Sequence, residues 1–379
     1  MERKGRLQQN YQFRTATEAD VKFLLAIDRK VSMPSQYGIH ICFLHEPDFF
    51  TAARAGYDET QVIVCEDISN NQIVGVGSRS IREAFVNGHK QFIGYLSNLR
   101  GLPEHRGSIR LLTEGYNYLR RLHQDDRVPY YTTTILEENV GVQKLLASRR
   151  FGLPIYDEYG RYETHLIPLY RKGREIKTSK SVQRATLDDI DQIVDFVIQE
   201  MSRYQFAPYY RAGDLRGESG LLPIFDISNI YIYRQNGEIH GTIGVWDQSS
   251  FKQVVVDRFE DPKIKLVRPL YNTWSKIVGG LQLPKEGGQF KNLYTLMVAV
   301  RNDDVEIFNS LLNSVIADWS RRGYANIIVG FEERHPLCKS AEQMASDTLL
   351  SRTYLVYWGD NVPELPSKDN VFHLEVATL

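Results

Sequence analysis

The chain has 379 residues, 46 lysines and arginines against 47 aspartates and glutamates, and 42% hydrophobic residues. At roughly 150 residues per domain this length fits two domains, each able to bury a core without metal or disulfides. A net charge of -1 argues against a dedicated nucleic-acid binder, and three cysteines, Cys42, Cys65 and Cys338, cannot build a disulfide framework. The cysteine count suits a reducing compartment. The first ten residues are polar and no run approaches 18 apolar residues. The expectation is a cytoplasmic protein with neither membrane nor nucleic acid among its partners.

In chain order, residues 13–21 come first, with Thr17 and acidic residues ahead of Val21, Leu24, Leu25, Ile27 and Val31. That pattern marks a helix start followed by one apolar helix face. The apolar-aromatic residues 43–50 read as core or as the lip of a substrate pocket. Strands at 61–66 and 72–76 flank a turn and form a hairpin. A strand at 91–99 runs into Arg100–Ser108, after which Ile109, Leu112, Tyr116, Leu119 and Leu122 share a helix face. A strand at 130–136, a short helix from 140 to 149 and a strand at 162–168 complete a first domain, residues 1–170. Residues 171–180 are basic, almost free of apolar side chains, and read as a linker.

The second domain, 181–379, repeats the opening. Aligning Ala16-Thr17 with Ala185-Thr186 also matches Asp20 to Asp189 and Val21 to Ile190. A helix face of Ile190, Ile193, Val194, Val197 and Met201 follows, then strands at 230–233, 239–246 and 293–300. Next come a helix carrying Ile307, Leu311, Leu312, Val315, Ile316 and Trp319, and strands at 325–331 and 353–358. Strands alternating with helices indicate an α/β class, and the repeat favours two similar domains over one large sheet.

The most informative stretch is residues 95–112. Gly101 and Pro103 end a strand, and Arg106-Gly107-Ser108 opens an amphipathic helix. Unpaired N–H groups and the positive end of the macrodipole make such a helix start suitable for a phosphate. Gly107 admits close backbone approach, and Arg106 and Arg110 bracket the loop with charge. An ordinary strand–loop–helix turn with surface arginines is the competing reading of these residues.

The order of elements, taken with this loop, resembles the GNAT family of acyl-CoA-dependent N-acyltransferases. Pro103-Glu104-His105-Arg106-Gly107 is similar to the family's phosphate-loop context, and Asn139, Leu145 and Phe151 fall in place in the segment after the next strand. The opening Arg-Thr-Ala-Thr is also typical, so the resemblance covers residues 11–170. It implies a mixed α/β sheet, two tandem acyltransferase-like domains, and acetyl-CoA or another acyl-CoA as co-substrate. The acceptor is then an amine of a small molecule or peptide.

A distortion of the central strand near Leu99, Arg100 and Gly101 is implied to offer an N–H to the thioester oxygen. Arg106, Gly107, Ser108, Ile109, Arg110 and Leu111 are implied to hold the pyrophosphate, with Asn139 nearby. Glu137 and Glu138 are the candidate bases, since an alkylamine of pKa about 10.4 is almost wholly protonated at pH 7. Tyr95 heads the tyrosines, with Tyr131, Tyr156 and Tyr159, available to protonate the departing thiolate.

Departures accompany the resemblance. Ile109 and Leu111 stand at small-residue positions of the loop, and Leu146 stands where the family commonly has a tyrosine. In the second half Asp303-Asp304 occupies the loop and Arg334 replaces Asn139, as in a copy that has lost cofactor binding. Two rival readings follow: a non-catalytic acyl-CoA-binding protein, or a relative transferring aminoacyl or long-chain acyl groups. His40-Ile41-Cys42 and His335-Pro336-Leu337-Cys338 lack a second ligand pair, so no metal is expected. The sequence leaves the oligomeric state open.

Overall fold

The computed structural model describes residues 11–35, 38–105, 107–148, 152–170, 176–320, 322–360 and 362–379. The first half runs β1 (Tyr11–Thr15), α1 (Val21–Lys30), β2 (Ser32–Pro34), β3 (Ile39–Leu44), α2 (Phe49–Arg54) and β4 (Glu59–Asp67). It continues with β5 (Gln72–Val86), β6 (His89–Gly101), α3 (Ile109–His123), β7 (Tyr131–Leu136), α4 (Val140–Leu146) and β8 (Ile155–Pro168). The second half has β9 (Val182–Arg184), α5 (Ile190–Met201), α6 (Ala212–Leu215), β10 (Ile230–Gln235), β11 (Glu238–Asp247) and β12 (Gln253–Phe259). It ends with α7 (Lys263–Val278), β13 (Gln289–Phe290), β14 (Asn292–Val300), α8 (Val305–Trp319), β15 (Asn326–Glu332), α9 (Cys338–Met344) and β16 (Asp347–Tyr357).

The repeated opening is the same device twice. The Asp20 carboxylate accepts from the backbone N–H of Thr17 at 2.8 Å, and Arg14 donates to both its oxygens. In the second copy Asp189 accepts from the Thr186 N–H at 2.8 Å and from Arg234 at 2.6 Å. Each threonine–aspartate pair satisfies the donors at the start of its helix and fixes the chain's entry.

Twelve strands form one sheet in the order β1-β4-β5-β6-β7-β16-β8-β15-β14-β11-β10-β9. The two halves of the chain therefore share one continuous sheet. Its centre explains why. β16, from the second half, lies between β7 and β8 of the first, and β8 lies between β16 and β15 of the second. Each half hands its last strand to the other, which covers an edge that would otherwise expose unpaired backbone groups. The order reads the same from either end about the β16–β8 pair.

The core follows the alternation of the strands. Ile243, Val245, Leu293 and Val298 meet Phe308, Leu311, Leu312 and Val315 of α8, all buried. On the first half, Leu24 and Ile27 of α1 pack with Val62, Val64 and Val74. Phe49 and Phe50 belong to this core, while Phe43 is exposed. Phe43 lies on β3, part of a second sheet ordered β13-β12-β3-β2, where β3 pairs antiparallel with β12.

Candidate functional site

β6 and β7 are parallel and pair only at Gly94–Tyr131 and Tyr95–Thr132. Gly94 makes this contact possible, because a Cβ there would stand 2.1 Å from the Tyr131 ring. Thr132 Oγ donates to the Gly94 carbonyl (3.2 Å) and Thr133 Oγ to that of Leu96 (2.8 Å). Beyond that point β6 stays with β5 and β7 with β16. The strands part, leaving a wedge between residues 97–101 and 134–136.

The wedge wall carries a bulge. Ser97 faces Ser78 and Arg100 faces Val76, so Asn98 and Leu99 stand against Gly77 alone. Asn98 has a φ of 56°, and its side-chain amide donates to Ser78 Oγ at 3.2 Å. A bulge of this kind takes a residue out of the ladder and turns its backbone groups outward. The distortion expected at 99–101 is thus centred on Asn98 and Leu99.

At the mouth, Ser108 caps α3 by accepting from the Leu111 N–H at 3.4 Å, and Gly107 has a φ of 77°. Helix geometry leaves the first-turn amides of Ile109 and Arg110 without intrahelical acceptors. The Ile109 side chain is exposed, and Leu111 packs against the first-half core. Arg110 lies on the exposed side, bonded to Glu114 at 2.7 Å. Arg106 lies outside the described residues.

The remaining expected site residues are dispersed. Arg100 reaches Asp28, and the Phe43 carbonyl at 3.0 Å, tying β6 to α1 and β3. Gly101 ends β6 opposite Gly75. Asn139 is exposed ahead of α4 with no side-chain cap bond. Glu137 is ion-paired with Arg161 (3.1 Å) and Arg352 (2.7 Å), and Glu138 is exposed on the following turn.

The apex of the wedge opens into a pocket lined by Tyr95 and Thr132, the last paired residues, with Tyr57, Arg82, Phe206 and Glu375. The Tyr95 hydroxyl hydrogen-bonds with Thr134 at 3.0 Å, and burial pushes its pKa up to about 12. Arg82 is buried between the Tyr57 and Tyr210 rings, 5.6 and 5.8 Å from their centroids, and its Nε has no hydrogen-bond partner. Glu375 accepts from the Tyr210 hydroxyl and the Met297 N–H, both at 3.0 Å. Burial pushes its pKa up to about 7, against the opposing pull of the Met297 amide and Arg82. Sequence reasoning missed Arg82 and Glu375. Neither lies in a motif, and only their burial marks them.

The second half repeats the bulge and fills it. β14 shifts register against β11, and Met297 there has a φ of 51°. Its amide is the one that Glu375 occupies. Asp303, in the loop after β14, accepts from Arg203 at 3.1 and 3.2 Å and from the Tyr204 hydroxyl at 2.5 Å.

No protein-family model matches the sequence, and no curated protein is similar to it in sequence. Solved structures match it in fold. The N-myristoyltransferase of Saccharomyces cerevisiae with bound myristoyl-CoA superposes at a TM-score of 0.60 and 12% identity, covering 97% of this chain and 88% of that one. A structure of the same enzyme with myristoyl-CoA and inhibitors gives 0.61 and 11%, covering 100% and 88%. A GCN5-related N-acetyltransferase from Anabaena variabilis ATCC 29413 gives 0.47 and 10%, covering 91% and 72%. At these identities the likeness is one of fold: the chain has the mixed α/β, GNAT-like architecture of N-myristoyltransferase.

Proposed function

We propose that the protein is an N-acyltransferase that moves an acyl group from acyl-CoA to an amine by direct attack in a ternary complex. The carrying observation is the wedge between β6 and β7, with a bulge on one wall and a buried carboxylate of pKa about 7 at its apex. The fold shared with structures that hold myristoyl-CoA supports the same reading.

In this reading the thioester oxygen lies against the amides at Asn98 and Leu99, which stabilise the oxyanion of the tetrahedral intermediate. The Gly107 amide and the first-turn amides of Ile109 and Arg110 in α3 face the pyrophosphate. The acceptor ammonium gives its proton to Glu375, and the neutral amine attacks the thioester carbon. An α-amine, of pKa about 7.7–8.0, suits a base near 7 better than a lysine-type amine does. Collapse of the intermediate breaks the C–S bond, and the thiolate takes up a proton as CoA leaves. Glu375 is assigned the base because Glu137 is neutralised by two arginines and Glu138 faces solvent. Tyr95 keeps its proton and acts as a wall. The filled bulge and the Asp303 bonds support a second half without cofactor.

Calorimetric titration with acetyl-CoA and myristoyl-CoA tests the reading and the chain length together. Micromolar binding of at least one, and thiol release that needs an added amine or peptide, is expected. No binding of either overturns the proposal. Acetyl transfer is the finer expectation from the sequence, and binding of myristoyl-CoA alone would replace it.

A further inference from the structure

Away from that pocket, the first residue of α9, Cys338, faces Glu163 and His165 on β8. His165 Nε2 is 3.4 Å from Cys338 Sγ and 3.9 Å from Glu163 Oε2, and Sγ is 3.6 Å from the same oxygen. His165 is fully buried and Cys338 is 5% exposed. A tetrahedral Zn²⁺ with Zn–S about 2.3 Å, Zn–N about 2.05 Å and Zn–O about 2.1 Å sets these separations at about 3.6, 3.4 and 3.6 Å. The triangle is within about 0.5 Å of that shape on every side.

The hydrogen-bond accounting points the same way. The Thr348 hydroxyl lies 3.1 Å from His165 Nδ1. An Nδ1–H given to Thr348 leaves the Nε2 lone pair aimed at the centre, the usual arrangement of a metal-bound imidazole. A carboxylate oxygen, an imidazole lone pair and a sulfur then converge with a single thiol proton among them. We propose that Glu163, His165 and Cys338 bind Zn²⁺, with a water as fourth ligand. On binding, the thiol proton is released to solvent and sulfur ligates as thiolate. The ion would tie β8, from the first half, to α9 of the second.

The test uses the full chain. Metal analysis of the purified protein should show up to one zinc per chain, removable by a chelator. Co²⁺ added to the stripped protein should give a thiolate-to-cobalt charge-transfer band and tetrahedral visible absorption. Cys338→Ser should abolish the charge-transfer band, and Glu163→Gln, at a partly exposed position, should weaken Co²⁺ binding at least tenfold. Absence of the band in the folded protein, or unchanged affinity in a folded Glu163→Gln, overturns the site.

A second feature stands independently: α7 has its polarity inverted. Leu266, Leu270, Trp274 and Ile277 are 81, 78, 59 and 67% exposed and form one stripe, widened by Val267, Tyr271 and Val278. The opposite face holds the polar bonds, with Ser275 donating to the Leu281 carbonyl (2.7 Å) and Asn272 to that of Leu283 (2.9 Å). A surface helix ordinarily does the reverse, and an apolar patch of this extent marks an interaction site. The helix carries Lys263, Lys265, Arg268 and Lys276 and no acidic residue, with Lys265 paired to Glu286 at 2.8 Å.

We infer that α7 docks on an anionic lipid surface. Lys263 and Lys276 meet the headgroups, since Arg268 is held at the Leu283 carbonyl (3.2 Å) and Lys265 at Glu286. Trp274 and Tyr271 take the interfacial level preferred by amphipathic rings. Trp246, Trp319 and Trp358 are buried, so Trp274 alone among the tryptophans reports from this face. Phosphatidylcholine vesicles containing phosphatidylserine should shift tryptophan emission to the blue and sediment the protein, less so at high salt. Leu270→Glu with Trp274→Glu should abolish sedimentation. Equal behaviour on phosphatidylcholine alone, no binding, or a dimer dissociated by the same substitutions overturns this assignment.

Discussion

Glu375 is the residue on which stability and proposed chemistry pull in opposite directions. Its pKa is about 7 in the folded chain against an ordinary 4.5, so the folded state holds the proton more tightly than the unfolded one. Folding therefore loses stability as pH rises from 4.5 through 7, by up to the order of 3 kcal/mol, and gains it back on acidification. Glu375→Gln cannot ionise and keeps an acceptor for the Met297 amide. The variant's melting temperature relative to the native chain should climb between about pH 5 and pH 8. The same substitution should remove the acid limb, near pH 7, from the rate profile of thiol release and lower kcat by about 10²-fold or more. A melting difference flat across that range would mean that the carboxylate is not held protonated in the folded state.

Gly94 decides where the two wedge strands stop touching. Gly94→Ala drives a methyl into the Tyr131 ring, whose hydroxyl accepts from Arg79 at 2.9 Å. Overpacking of that kind costs about 1–3 kcal/mol, and it spreads the wedge at its apex. Denaturant melts should show the loss, and calorimetry should show weaker acyl-CoA binding. Gly77→Ala is the control, because the nearest atom to its Cβ is 4.0 Å away on Leu99. That variant should stay close to native in both measurements. β6, α3 and β7 were legible as elements because their apolar residues recur with the period of strand or helix. The bulge was legible only as a distortion one residue further along. The small sheet was not legible: β13 has 2 residues and β2 has 3, and β3 finds its partner β12 more than two hundred residues away. α7 escaped as well, since its buried face is polar. Glu375 sits in a tail of irregular backbone, where no periodicity distinguishes a buried carboxylate from a solvated one.

At the scale of the molecule the repeat was legible through Thr17–Asp20 and Thr186–Asp189, whereas the exchange of strands was not. A strand's pattern shows that it is buried on both faces, but not which neighbour it chooses. The exchange has a consequence for the boundary at 171–180. β16 is hydrogen-bonded to β7 and β8, and β8 to β15 and β16, so either half alone lacks a central strand and exposes the edge of another. Fragments cut between residues 175 and 176 should each fail to give a cooperative melt and should aggregate through those edges. Expressed together, they should assemble one to one, since closing the sheet satisfies both edges at once. The assembled pair should bind acyl-CoA as the intact chain does, because β6, β7 and α3 lie in one fragment and Glu375 in the other, as the proposed ternary complex requires. A first fragment that folds and binds acyl-CoA alone would show instead that the cofactor wedge is autonomous and that the second half supplies only the acceptor side.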